Sequence, residues 1–295
     1  MKINEILKKR GIVPHEYEKI GNATIVKTNK GKYVYKKSHI NKKIISYLKS
    51  RNFNYMPKIY ENENYLLTDY IESYEIPKEQ KIIDLIKLTA LLHSKTTHYR
   101  EIDQDEYEKI YEDIDNNINY LYSYYTDIIA IIESKVYPSP SEQLISRNIS
   151  KIYETIEKNK KMLDHWHISI KEKTKERNVV LHNNLNLDHF IRNKSSYLIS
   201  WEKSKIGTPI FDIYKLYKLY VLDFDFKSLL EIYESNYPLK KDEKELFFIM
   251  ISLPDIIKMD GKEYEKCYEI SKMLDKIYKT EKLISPKTSK EREKQ

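Results

Sequence analysis

The sequence predicts an α+β chain in which a small antiparallel sheet carrying one helix precedes a larger, mainly helical region. Three observations lead there. The β-prone segments ATIVKT (residues 23–28) and KYVYKK (32–37) are joined by Asn29-Lys30-Gly31, a strong hairpin signal. Apolar residues recur at helical spacing over residues 80–98, 104–136 and 141–173. Three short strand-like pieces, VVL (179–181), HFI (189–191) and YLIS (197–200), interrupt the helices before more follow over about 211–283. This order excludes a simple alternating doubly wound sheet.

The elements follow in chain order. Residues 3–10 suit a short helix ended by Gly11, which can take the left-handed position after it. The segment NKKIISYLKSR sets Ile44, Ile45 and Leu48 on one helical face, and NENYLLTDYI, after Pro57, reads as another hairpin-like pair. In the helix over 80–98 the apolar positions 82, 83, 85, 86 and 88 continue to Leu91 and Leu92. Pro138 and Pro140 separate the two long helices, whose many tyrosines suit amphipathic faces with wet edges. The boundaries expected are an N-terminal lobe over 1–72, a helical C-terminal lobe over 73–283 and a polar, disordered tail over 284–295. A cleft between such lobes is a usual ligand site.

Composition narrows the function classes. No apolar run approaches the length of a membrane span, and the start lacks the pattern of a signal peptide. Cys267 is the sole cysteine, so an intramolecular disulfide is excluded and a reducing cytoplasm is the expected location. The formal charge of +7 is spread among interleaved acids, which gives solvated helix faces rather than a nucleic-acid-binding patch.

The most informative stretch is VVLHNNLNLDHFIRNKSSYLISWEKSKIGTPIFDIYKLY, residues 179–217. It contains His182-Asn183-Asn184-Leu185-Asn186-Leu187-Asp188-His189, then Ile199-Ser200-Trp201, then Gly207-Thr208-Pro209-Ile210-Phe211-Asp212-Ile213. In order and spacing this resembles the catalytic segment of the aminoglycoside phosphotransferase and choline kinase-like family, with its His-Gly-Asp loop, Ile-Asp strand end and Gly-Asp-Pro helix start. Earlier residues extend the resemblance. Tyr33-Val34-Tyr35-Lys36 is similar to the strand whose lysine contacts nucleotide phosphates, Tyr65–Ile71 to the strand entering the hinge, and Leu91-Leu92-His93 to the first helix of the large lobe. The pair of long helices resembles the enlarged helical insert of such kinases, including the spore-coat-associated CotS-like branch. The resemblance implies a two-lobed protein-kinase-like fold.

It also implies where catalysis would sit, and there the residues depart from the pattern. Phosphoryl transfer needs a carboxylate to receive the acceptor's proton and oxygen ligands for Mg²⁺. The base position is Asn184, whose amide has no useful basicity. The two metal positions are His189 and Ser200. Near the place of the glutamate that pairs with the lysine stand Asn41, Lys42 and Lys43, and no glycine-rich phosphate cradle precedes Lys36. His182 and Asp212, both retained, are expected to support the loop. Trp201 is expected to pack. Asp188 and Glu202 are the acids that could substitute as metal ligands, Glu202 by sharing the strand face of Ser200. A zinc site at His182 and His189 lacks a third ligand, and His165 and His167 do not share a helical face.

Three functions stay open on the sequence. The first is a pseudokinase that works by binding a protein partner, in spore-coat assembly if the branch resemblance holds, which would place it in the mother-cell cytoplasm or the coat. The second is an active phosphotransferase using ATP and Mg²⁺ on a small hydroxylated substrate. The third is a sensor that binds a nucleotide or another small molecule in the interlobe cleft without turnover. No cofactor is assigned outside the active alternative.

Overall fold

The computed structural model describes residue 7 and residues 11–62 and 65–285. The helix expected over 3–10, apart from Leu7, the turn at Glu63 and Asn64, and the expected tail beyond Ser285 lie outside the described residues. Two compact units emerge. The first joins residues through His98 with Arg177–Lys215 and Glu231–Pro238, and the second comprises Tyr99–Glu176, Leu216–Leu230 and the residues from Leu239 on.

The first unit begins with a five-stranded antiparallel sheet. Its strands are β1 (Pro14–Ile20), β2 (Ala23–Thr28), β3 (Gly31–Lys36), β4 (Ile59–Asn62) and β5 (Tyr65–Asp69), in spatial order β1-β2-β3-β5-β4. The hairpin at Asn29-Lys30-Gly31 forms as expected. Gly31 takes φ 118°, a value a side chain would resist, while the Thr28 hydroxyl donates to the Gly31 carbonyl at 2.7 Å and accepts from the Lys30 amide at 3.1 Å. The strand β1, too polar to announce itself, was not legible in the sequence. One sheet face carries Val26, Tyr65 and Leu67, which pack with Leu7 and Ile12 in a core edged by Tyr33, Tyr35 and Tyr60. The register pairs Val34 with Thr68 and Lys36 with Leu66, so side-chain alternation sends these four to the other face.

Helix α1 (Lys42–Ser50) starts where Asn41 caps it, accepting the Lys43 amide at 3.0 Å and the Ile44 amide at 3.4 Å, and buries Ile44, Ile45 and Leu48. Helix α2 (Lys78–Thr96) buries Leu85, Ile86, Leu92 and His93. Strand β6 is His98–Glu101. Later in the chain come β7 (Lys175–Leu181), a short 3₁₀ turn (Leu187–His189), β8 (Phe190–Arg192), β9 (Ser196–Leu198), a second 3₁₀ turn (Trp201–Lys203) and β10 (Lys205–Gly207). Strand β10 pairs antiparallel with the end of β7, and a Cβ on Gly207 would stand 2.9 Å from Leu181 Cδ1. The strand expected to run through Ser200 stops at Leu198. Ser200 takes the left-handed conformation, φ 65°, and Glu202 lies in the 3₁₀ turn. Glu202 therefore does not share a strand face with Ser200, because the strand ends before both.

The second unit is helical. Helices α3 (Gln104–Glu133) and α4 (Pro140–Lys171) are the two expected long helices. The Asp103 carboxylate caps α3, and Glu142 reaches back from the first turn of α4 to the Ser139 amide at 2.8 Å. Helices α5 (Ile210–Tyr220) and α6 (Phe226–Asn236) run on from one unit to the other, and α7 (Lys241–Ser252) and α8 (Glu263–Ile284) complete the fold. Trp166 is buried with its indole donating to the Asp242 carbonyl at 3.2 Å, and buried Asn159 donates to the Ile249 carbonyl at 3.0 Å. Of the tyrosine run, Tyr125 is buried, whereas Tyr120 and Tyr122 are exposed. Among the described residues no helix is long and apolar enough to cross a membrane.

Candidate functional site

The loop after β7 is held by a single buried carboxylate. The amides of His182 and Asn183 donate to Asp212 Oδ2 and Oδ1, each at 2.8 Å. The His93 Nε2–H lies 3.3 Å from Oδ2, and its Nδ1 accepts from the Tyr233 hydroxyl at 2.7 Å. Burial pushes the Asp212 carboxyl up, but the His93 hydrogen bond, the neighbouring imidazoles and the Asn183 amide together outweigh it and hold the group below its ordinary value. Asn183 sits at φ 58°, and the Lys215 ammonium donates to its carbonyl at 2.7 Å and to its side-chain oxygen.

His182 is fully buried. Its Nε2–H donates to the Ile199 carbonyl at 2.9 Å, its Nδ1 has no hydrogen-bond partner, and the Trp201 ring meets it edge-on at 4.6 Å between centroids. Burial lowers its pKa to about 4, so it stays neutral near pH 7. Trp201 is itself buried, with its indole donating to the Leu198 carbonyl at 2.8 Å.

Asn184, His189 and Ser200 converge on the same loop. The Asn184 amide donates to the Ser200 carbonyl at 3.4 Å. His189 Nδ1–H donates to the Asn184 carbonyl at 2.7 Å, and the His189 amide donates to Asn186 Oδ1 at 2.8 Å. Asp188 is exposed and does not line the adjoining cavity.

Lys36 enters this group from β3. Its ammonium donates to Ser200 Oγ at 2.8 Å and to Glu202 Oε1 at 2.9 Å. The side chains of Lys36 and Glu202 are only 24% and 18% exposed. Helix α1 has no acid in its first turn, so the carboxylate beside Lys36 comes from the second 3₁₀ turn instead. The three residues line a cavity of about 100 Å³, together with the apolar Val34, Ile40, Ile59, Leu66, Ile191 and Ile199 and with Thr68 and Asp69. Among the described residues no group of three or more His, Cys, Asp or Glu side chains gathers to hold a metal.

The structure thus brings together Lys36, Asn184, His189, Ser200 and Glu202, and leaves Asp188 apart. Sequence reasoning missed Lys215 and Tyr233. Neither lies in a motif, and only the buried polar groups that each one satisfies reveal its part.

No family model matches the chain, and no curated protein matches it. Solved structures do. The chain is similar to an aminoglycoside phosphotransferase from Alicyclobacillus acidocaldarius, with a TM-score of 0.67 at 10% identity over 92% of this chain and 91% of that one. It is also similar to the AMP-bound spectinomycin phosphotransferase APH(9)-Ia, with a TM-score of 0.53 at 12% identity over 96% of this chain and 94% of that one. A small antiparallel sheet ahead of a mostly helical part, with the 182–212 segment folded against the sheet, is the α+β protein-kinase-like fold of the aminoglycoside phosphotransferases.

Proposed function

We propose that this chain is a kinase-like protein that does not transfer phosphoryl groups. The observation that carries this is the side chain at the base position, the Asn184 amide, which donates to the Ser200 carbonyl at 3.4 Å. The lysine that the family resemblance assigns to nucleotide phosphates keeps a carboxylate partner, Glu202, supplied by the second 3₁₀ turn rather than by helix α1. Transfer also needs a proton acceptor and anionic metal ligands. The base position offers the Asn184 amide, and the metal positions offer the His189 imidazole and the Ser200 hydroxyl, neither of them a carboxylate. His182 and Asp212 then serve to hold the loop rather than to react.

Such a protein acts through what it binds. A protein partner is our reading of its role. Work in spore-coat assembly would follow only from the resemblance of the long helices to the CotS-like branch, and loss of coat association on deleting α3 and α4 from the full chain would test it. The expected domain division, 1–72 and 73–283, belongs to the same proposal.

A second possibility rests on Glu202 itself, a carboxylate lining the cavity. If Lys36 released it, Glu202 could ligate Mg²⁺ and leave Lys36 for the phosphates of ATP. Thermal unfolding separates the two. Stabilisation by ATP that requires Mg²⁺ supports an active phosphotransferase. Absence of a Mg²⁺-dependent shift supports a non-catalytic protein, and a shift with nucleotide alone supports a sensor.

A further inference from the structure

The positive charge of this chain is unevenly placed, and the outer face of α1 collects part of it. From Lys19 to Tyr60 there is no Asp or Glu, while ten lysines and one arginine fall in the same stretch. The interleaving of acids expected for the whole chain fails there. Three of these lysines are matched by acids from outside the stretch: Lys27 by Glu16, Lys32 by Glu72 and Lys36 by Glu202. Helix α1 turns Ile44, Ile45 and Leu48 inward, and at 3.6 residues per turn its opposite face carries Lys42, Lys43, Ser46 and Lys49, all exposed. No described acid pairs with Lys43 or Lys49.

Local stability does not explain this face. Lysines in a first turn oppose the helix dipole, and α1 has no acid there to offset them. The Asn41 side chain already takes the amides of Lys43 and Ile44, so the lateral face, not the helix end, is what stays open. A surface that breaks local rules in this way is one kept for binding. Its occupant is an anion longer than a single group, because Lys42 and Lys49 stand about 10 Å apart along the axis, with the Ser46 hydroxyl between them.

From this we infer that the outer face of α1 docks an acidic polypeptide segment, whose carboxylates meet Lys42, Lys43 and Lys49. This rests on the reading of the chain as a non-catalytic protein that acts through a protein partner, and it deepens that reading by naming the surface and the partner's chemistry. A bilayer fits the face less well. From Gly21 to Ser73 no described residue is a large apolar side chain left exposed, so nothing enters the acyl boundary. A nucleic acid also fits less well. Arg51, the one arginine of the stretch, donates to the Thr97 carbonyl at 3.2 Å and lies over the Tyr47 ring, and no exposed aromatic offers a base a stacking surface. Lysines along one convex helix suit a single line of carboxylates.

Fluorescence anisotropy of the full chain with a labelled decapeptide of alternating Asp and Glu, at an ionic strength of about 0.15 M, tests it. The acidic decapeptide is expected to bind at least tenfold more tightly than one of alternating Ser and Asn. The Lys43→Glu/Lys49→Glu variant is expected to bind it at least tenfold more weakly than the unaltered chain. The Lys161→Glu/Lys171→Glu variant makes the same change of net charge on exposed lysines of α4, and is expected to bind within twofold of the unaltered chain. Lys43→Gln/Lys49→Gln, which removes the charge without reversing it, is expected to show a smaller loss of the same sign. Circular dichroism establishes that the variants are folded. Equal weakening by the two charge reversals overturns the inference, as does failure of the acidic decapeptide to bind. Tighter binding of a short DNA duplex or of phosphatidylserine vesicles, lost in Lys43→Glu/Lys49→Glu, overturns it as well. Phosphoryl transfer is measured separately: no turnover with no decapeptide binding sinks only this inference, whereas turnover sinks the non-catalytic reading beneath it.

Discussion

Lys36 and Glu202, 166 positions apart in sequence, meet at 2.9 Å beside the cavity, and the Ser200 hydroxyl joins them at 2.8 Å. One residue is fixed by a sheet and the other by a 3₁₀ turn, so their meeting measures how firmly the 182–212 segment is tied to the sheet. A double-mutant cycle on Lys36→Met and Glu202→Gln is expected to give a coupling of about 1 kcal/mol by urea unfolding. That exceeds an exposed pair but stays modest, because desolvation offsets much of the Coulomb gain. Zero coupling would mean that the pair does not hold in solution.

Asp212 accepts two backbone amides, that of His182 buried and that of Asn183 part-buried, and a buried histidine. Asp212→Ala is expected to cost about 3 kcal/mol or more, since removing one partner strands several buried donors. Because its folded pKa is depressed, the carboxylate stabilises the fold fully above its unfolded value of 3.8, and that contribution is lost as pH falls below it toward the folded value. Urea midpoints between pH 3 and 6 check this. The variant should lose less stability over the acid end than the unaltered chain.

His182 gives a different pH signature. Burial lowers its pKa from 6.5 to about 4, so between these values the unfolded chain binds a proton that the folded chain does not. Stability should therefore be unaffected by this group above pH 6.5 and fall as pH drops toward 4, by about 3 kcal/mol in total. His182→Gln, which can still donate toward the Ile199 carbonyl, is expected to flatten that slope. An unchanged slope would mean that His182 titrates normally in the fold.

Gly207 faces Leu181 so closely that an added Cβ would stand 2.9 Å from Leu181 Cδ1. Gly207→Ala is expected to destabilise by about 1–3 kcal/mol through overpacking. Adding Leu181→Val should recover part of the loss, and thermal unfolding of the two variants reads it. No recovery would point to backbone conformation rather than the side-chain clash.

The legibility of this chain follows the reach of its signals. The Asn29–Gly31 hairpin, the buried face of Ile44, Ile45 and Leu48 and the long helices on either side of Pro138 were readable because each depends on local propensity and periodicity. Strand β1 was not, because its residues are almost all exposed and show no alternation. The ordered spacing of the sequence pointed to Lys36, His182, Asp212, Asn184, His189 and Ser200, and the fold brings these residues near one loop. Glu202 would share a face with Ser200 only if the strand continued, and it does not, because Ser200 turns left-handed. That turn depends on tertiary ties such as the Asn184 amide to the Ser200 carbonyl and the Lys36 bond to the Ser200 hydroxyl. No local pattern announces them. Lys215 was invisible for the same reason: its contact is to a loop 32 positions away.

ADP formation under single-turnover conditions, with the full chain in excess over ATP, saturating Mg²⁺ and a mixture of small hydroxylated acceptors at pH 7.5, tests the central claim most directly. The expected result is no ADP above the protein-free control, in the unaltered chain and in Glu202→Gln alike, because the Asn184 position offers no base in either. A stoichiometric burst of ADP from the unaltered chain, abolished by Glu202→Gln, would contradict it and make Glu202 a metal ligand.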